Sequence, residues 1–198
     1  MAHRGASSEA PENTLAAFER AIEVGADMIE FDVRRSLNGG LLISHDPIRE
    51  PGPQVPALEE TLRVAEGRIQ LDVELKEPGC ERDAIELLLR YFPRDAFCIT
   101  SFLAPVLRET RAIDPQIRTG LIFATWNESV RAMCLSPDAD ILVSHYRLLD
   151  QAEQIGKPVF AWTVDEPALT RALFKRPLVT AIVTNNPRQA LAIRQELL

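Results

Sequence analysis

The sequence predicts a (β/α)₈ barrel of the TIM type, with a β-hairpin excursion after the second strand. Three observations carry that expectation. From its middle onward the chain alternates short apolar, β-branched runs with stretches of helical spacing, the pattern of parallel strands joined by right-handed crossovers. The parallel runs number eight, near residue 2 and at 28–33, 69–75, 97–100, 117–122, 139–143, 158–163 and 179–184. The 198 residues leave about 25 for each of eight units, close to the least that a strand, a helix and two short loops need. An open doubly wound sheet is the alternative architecture. Residues 1–198 read as one domain, with no linker or low-complexity segment.

Taken in order, the elements have local causes. Thr14 to Val24 places Leu15, Phe18 and Ile22 on one helical face. The strand Met28–Val33 is followed by Asn38-Gly39-Gly40, a strong hairpin signal, and a second extended run from Leu41 to Ser44. Pro47 to Pro56 is a proline-rich loop, and Leu58 to Ala65 a helix. Ile69–Leu75 leads to a helical pattern from Cys80 to Tyr91, with Ile85, Leu88 and Leu89 on one face. Phe160–Val164 precedes a helix opening near Glu166. Ala181–Val183 precedes another from Pro187 to Leu197, where the proline suits the first turn because its missing N–H is harmless.

Composition narrows the function classes. An apolar content of 46% excludes wholesale disorder. No run of apolar residues is long enough to span a bilayer, and Met1-Ala2-His3-Arg4-Gly5 shows no signal-peptide core. A net charge of −7 argues against a general nucleic-acid binder, but leaves room for a small phosphate held by a few local cations. Cys80, Cys98 and Cys134 are widely spaced and outside any C-x-x-C pattern, so they read as thiols of a reducing compartment, the cytoplasm by default.

Barrel strands are buried on both faces and should be almost wholly apolar. Two break the rule. Glu30 and Asp32 share one face of their strand, and Asp72, Glu74 and Lys76 share one face of theirs. Unpaired carboxylates there would cost several kcal/mol each in desolvation (about 2–7 for a polar group, more for a charge), so something cationic must offset them. Either Lys76 with Arg34 or Arg35 forms a structural ion-pair network, or the carboxylates hold a divalent cation with hard oxygen ligands, Mg²⁺ or Ca²⁺. If Asn38-Gly39 is a two-residue turn, paired positions place Asp32 directly opposite His45; a three-residue turn would place Val33 there. His3 ends the first strand, on the rim where barrel active sites sit, and a His beside metal-bound carboxylates is a candidate acid or base. For a single His the ordinary reading is a hydrogen-bonded packing residue, and His145 is read that way.

These residues, in this order, resemble the glycerophosphodiester phosphodiesterase family of metal-dependent (β/α)₈ barrels. The matching motifs are His3-Arg4-Gly5, Pro11-Glu12-Asn13-Thr14, Glu30-x-Asp32-Val33, His45-Asp46, Pro56-x-Leu58-Glu59-Glu60, Glu74-x-Lys76, Ser101-Phe102 and Ala161-Trp162-Thr163-Val164. The resemblance implies that Glu30, Asp32 and Glu74 bind one divalent cation, that His3 and His45 are the general acid–base pair, and that Arg4 and Lys76 hold the phosphate. It implies that Trp162 lines the cleft against the substrate's alcohol portion; outer-barrel packing is the alternative. The reaction it implies is attack of the glycerol 2-hydroxyl to form a cyclic phosphate, which water then opens.

Three departures from the family pattern are visible. Only Pro47 to Val55 stands where many members carry a cleft-capping insertion, so the cleft should be more open. The last strand ends Thr184-Asn185-Asn186-Pro187, without the usual Gly and Asp, which reads as a tolerated change at the rim. Only Met1 and Ala2 precede His3, so either the first strand is nearly absent, holding His3 loosely, or the biological start lies upstream. Two rival functions remain. One is a lysophospholipase D-like activity, with Ile48, Pro51, Pro53 and Val55 as the available apolar rim residues. The other is a barrel that binds metal or phosphodiester without turnover. The partner is a small phosphodiester in the leading reading; the sequence leaves the oligomeric state open.

Overall fold

The structure is a computed structural model describing residues 1–47, 52 and 55–198. Its strands are β1 (Ala2–His3), β2 (Met28–Arg35), β3 (Leu41–Ile43), β4 (Gln70–Leu75), β5 (Phe97–Ser101), β6 (Arg118–Phe123), β7 (Ile141–His145), β8 (Val159–Trp162) and β9 (Val179–Ile182). Eight of them run in parallel in chain order, β1-β2-β4-β5-β6-β7-β8-β9, with β3 attached to β2 alone. A parallel bridge between Ala2 and Thr184, with the His3 N–H donating to the Thr184 carbonyl at 2.9 Å, joins the first strand to the last. This is the (β/α)₈ barrel with its hairpin excursion; the doubly wound alternative falls.

Among the described residues, eight α-helices alternate with the parallel strands: α1 (Leu15–Glu23), α2 (Leu58–Ala65), α3 (Glu81–Tyr91), α4 (Ala104–Ile113), α5 (Glu128–Leu135), α6 (Leu149–Glu153), α7 (Pro167–Leu173) and α8 (Pro187–Gln195). Their starts follow from the sequence. The Thr14 hydroxyl accepts from Ala17 N at the head of α1, and Asn186 caps α8 ahead of Pro187. Helix faces such as Phe18 and Ala21 of α1, or Ile85 and Leu88 of α3, are buried against the barrel's outer wall.

The barrel interior is divided. Met28, Cys98, Ile122, Ile141, Val143, Phe160 and Val183 pack into one apolar cluster. Glu30, Asp32, Asp72 and Glu74 are buried too, and the β2–β4 register sets Glu30 beside Asp72 and Asp32 beside Glu74. Acidic residues thus occupy the β2–β4 side.

The hairpin register corrects an expectation. Val33 pairs with Ile43 and Arg35 with Leu41, so neither Asp32 nor Val33 stands opposite His45. Ser36 and Gly40 flank a three-residue loop, Leu37-Asn38-Gly39, in which Ser36 N–H donates to the Gly40 carbonyl at 2.8 Å. A two-residue type I′ turn needs positive φ at both central residues. Of that pair only Gly39, at φ +88°, has it, which starts the loop one residue earlier than expected. Ser44, not His45, donates its N–H to the Asp32 carbonyl.

Candidate active site

The site is assembled from strand ends. Directly after β1 the chain turns through two left-handed residues, Arg4 at φ +53° and Gly5 at φ +84°. Gly5 is required there, because a Cβ would meet the backbone of Ala17 at 2.7 Å. The turn points the Arg4 N–H at Glu30 Oε2 (2.9 Å) and sets Arg4 Nε 3.1 Å from Asp32 Oδ2. Asn13, also left-handed at φ +56°, donates its amide to the same Asp32 oxygen at 2.8 Å. Beyond β4, Lys76 Nζ lies 2.5 Å from Glu74 Oε1 and 3.1 Å from Asp32 Oδ1.

His3 is held firmly, against the expectation of a loose first strand. Its Nδ1 lies 2.8 Å from Asn185 Oδ1, its Nε2 is 3.9 Å from Glu30 Oε2, and the Ser7 hydroxyl reaches its carbonyl. His45 comes to the site from beyond β3, with Nδ1 against Asp46 Oδ1 (2.9 Å) and its carbonyl accepting from Arg34 Nε. His3, Arg4, Glu30, His45, Glu74, Lys76 and Trp162 all line one cavity of about 170 Å³ at the C-terminal ends of the strands. Asp32 lies just beneath it, through its contacts with Arg4 and Lys76. The eight residues singled out in the sequence therefore meet at one place. Trp162 faces this cavity, its indole N–H donating to the Val143 carbonyl and its ring edge-on to Phe102. His145 packs against Tyr146 and Trp162. A larger hollow of about 320 Å³ at the opposite end is lined by Met28, Arg118, Thr180 and Arg194 and gathers no comparable set of His and carboxylates.

Electrostatics separate the carboxyl groups. Burial pushes Glu30 well above the usual carboxylate range, reinforced by the charges of Asp32, Glu74 and Asp72. Burial and the Asp32 charge carry Glu74 up to about 7 despite Lys76. Burial takes Asp72 to about 6 against its hydrogen bond from Thr100. For Asp32 burial also works upward, but Lys76, the Asn13 amide and Arg4 outweigh it and hold the group below its ordinary value. Burial lowers His3 despite its bond to Asn185, favouring the neutral imidazole.

A metal fits this donor set. One carboxylate oxygen from each of Glu30, Asp32 and Glu74 lies within 4.8 Å of the others. Asp32 Oδ1 is buried without an aligned hydrogen-bond donor. Among the described residues, Arg4 and Lys76 are the Arg and Lys side chains that pair with this group of four buried carboxyls, so a hard divalent ion would restore the balance. Of the ion-pair network anticipated for Lys76 with Arg34 or Arg35, Lys76 does pair with Asp32 and Glu74, but neither arginine joins it. Arg34 turns to Glu77, and Arg35 to Asp83 and the Gly79 carbonyl. Sequence reasoning assigned no role to Asn13, Asp165 or Thr100. Asn13 lay within a quoted motif, but nothing in a single sequence shows where a loop amide points.

The glycerophosphoryl diester phosphodiesterase family profile matches residues 3–69. A glycerophosphodiester phosphodiesterase of Caldanaerobacter subterraneus is 27% identical over 228 aligned positions, covering 94% of this chain and 93% of the relative. That alignment is longer than this chain, so the relative carries residues this chain lacks. Among solved structures, an Oleispira antarctica phosphodiesterase in complex with the product sn-glycerol-3-phosphate superposes with a TM-score of 0.85 at 24% identity, covering 98% of this chain and 95% of that one. A glycerophosphodiester phosphodiesterase of Thermotoga maritima gives 0.82 at 22% identity, with 98% and 96% covered. These two share the barrel. Taken with the profile match over residues 3–69 and the relative aligned over nearly the whole of both chains, they support the glycerophosphoryl diester phosphodiesterase family for this chain.

Proposed function

We propose that this chain, acting as one barrel domain, hydrolyses glycerophosphodiesters to sn-glycerol 3-phosphate and an alcohol. The observation that carries this reading is the convergence of two His, three carboxylates and two cations on one cavity at the strand C-termini. A phosphodiester anion resists attack through its own charge, and the site offers Arg4 and Lys76 to stabilise the charge that grows in the transition state. Glu30, Asp32 and Glu74 would hold one divalent cation, Mg²⁺ or Ca²⁺, which supplies Lewis-acid stabilisation of the phosphoryl oxygens when bound.

In the first step neutral His3 takes the proton of the glycerol 2-hydroxyl through Nε2 as that oxygen bonds to phosphorus. His45, whose ring lies against Asp46, gives a proton to the departing alcohol oxygen as its bond to phosphorus breaks. In the second step the roles exchange: His45 activates water, and His3 returns its proton to the glycerol oxygen as the cyclic phosphate opens. Trp162 and Phe102 form the wall against which the alcohol portion rests. A lysophospholipid substrate is not favoured. Of its expected apolar rim, Ile48, Pro51 and Pro53 lie outside the described residues, and Val55 is half-buried. A non-catalytic barrel would have no use for two His on the cavity. No helix among the described residues is long and apolar enough to cross a membrane. Three buried, unpaired thiols accord with a cytoplasmic setting.

The test is release of sn-glycerol 3-phosphate from glycerophosphocholine, glycerophosphoethanolamine and glycerophosphoglycerol, with Mg²⁺, Ca²⁺ or EDTA, and lysophosphatidylcholine in parallel. Metal-dependent release is expected. It should vanish in Glu30→Ala and fall about 10²–10⁴-fold in His45→Ala. No release from any diester would overturn the proposal, and turnover of the lysolipid alone would replace the substrate class.

A further inference from the structure

Asn185 occupies the position where the last strand departs from the family pattern, and its side chain is committed on both sides. Its amide nitrogen donates to Asp165 Oδ2 at 2.6 Å, while its Oδ1 lies 2.8 Å from His3 Nδ1. The Asp165 carboxylate is anchored in turn, its Oδ1 accepting from Asn185 N and from the Thr184 hydroxyl, each at 2.8 Å. An ionised carboxylate only accepts hydrogen bonds, so the amide must present its NH₂ to Asp165 and its oxygen to His3. An amide oxygen only accepts as well, so His3 Nδ1 must be the protonated nitrogen. We propose that Asn185, oriented by Asp165, is a positioning residue that fixes His3 as its Nδ1–H tautomer and leaves the Nε2 lone pair toward Glu30 and the cavity.

The proposal rests on the reading of His3 as an acid–base group, because a base needs its lone pair on the nitrogen that faces the substrate. It makes Asp165, which has no direct contact with His3, the residue that selects the tautomer. In Asp165→Asn, the new amide still offers an oxygen to Asn185 N and Thr184. It then turns an NH₂ toward the Asn185 side chain. Asn185 must answer with its oxygen, its own NH₂ swings toward His3, and Nδ1 becomes the acceptor. The exchanged pair, Asp165→Asn with Asn185→Asp, restores every donor and acceptor with a carboxylate facing His3.

The experiment is a long-range ¹H–¹⁵N correlation spectrum of the metal-free protein, above the pH where imidazole is charged, with His3 assigned by its loss in His3→Gln. The wild type should show a protonated Nδ1 and a bare Nε2. Asp165→Asn should invert this, and the exchanged double variant should restore it. In the metal-loaded enzyme kcat should fall about 10²-fold or more in Asp165→Asn with KM little changed, and recover in the double variant. A protonated Nε2 in the wild type, or an unmoved tautomer in Asp165→Asn, would overturn the proposal. Should the single variant fail to fold, the double variant and the wild type still decide it, since loss of the Nδ1–H tautomer in either contradicts the pairing. The spectrum needs neither metal nor substrate. A wild type inactive on every diester therefore overturns the proposed reaction, while the tautomer is read independently.

Discussion

Lys76 faces two carboxylates at once, at 2.5 Å from Glu74 and 3.1 Å from Asp32, with its ammonium above the Phe102 ring. Both carboxylates raise its pKa against the desolvation that would lower it, so it stays charged. Removing one member of a buried ion-pair set leaves the others uncompensated, at a cost of about 3–5 kcal/mol. Lys76→Met should therefore destabilise the metal-free protein by roughly 3 kcal/mol in urea unfolding, with part of the loss recovered on adding Ca²⁺ or Mg²⁺. Phosphodiester turnover should fall in the same variant through KM as well as kcat. A variant as stable as the wild type without metal would show that the ion-pair set is not needed to hold the carboxylates in place. The residue types and their same-face spacing on two strands were legible in the sequence, because strand periodicity alone sets them. The partners were not. Arg4, not Arg34 or Arg35, offsets Asp32, because a left-handed turn after β1 folds Arg4 back over β2.

At the scale of elements, the β2–β3 hairpin shows how one backbone torsion moves a register. Leu37-Asn38-Gly39 spans the turn with only Gly39 in the left-handed region. A β-branched residue there costs about 1–2 kcal/mol, whereas Asn tolerates the conformation far better. Gly39→Val should lower stability by that amount in urea unfolding, and Gly39→Asn by clearly less. Equal effects would mean that the turn does not depend on positive φ at 39. The hairpin itself could be read from Asn38-Gly39-Gly40, but its loop length could not, since the same residues suit two-residue and three-residue turns. His45 lines the cavity through the path of the chain beyond Ile43, not through a cross-strand pairing.

At the scale of the molecule, a half-acidic barrel interior links stability to protons and metal. In the metal-free fold Glu74 is carried up to about 7 and Asp72 to about 6, above their ordinary values near 4. The folded chain then holds protons that the unfolded chain has released. The stability these groups contribute is present in full below about pH 4 and is lost as pH rises through about 7. A divalent cation competes with those protons, so its stabilisation should grow over the same window. Thermal unfolding of metal-free wild type and Glu74→Gln between about pH 5 and pH 8 checks this. The wild type should lose Tm relative to the variant as pH rises, and Ca²⁺ or Mg²⁺ should raise its Tm more at the higher pH. A metal shift of equal size at both ends would contradict the linkage.

The alternation of strands and helices, the acidic strand faces and the His at strand ends were set by the sequence itself, since each depends on local periodicity. Those features suffice for a barrel with a candidate metal site on one rim. The tertiary structure decided what holds His3, because Thr184 and Asn185 reach it from a distant part of the chain. It also decided the hairpin register and the neutralising role of Arg4. Those outcomes depend on left-handed torsions at Arg4, Asn13 and Gly39, and on hydrogen bonds between residues far apart in the chain, neither of which the period of a sequence records.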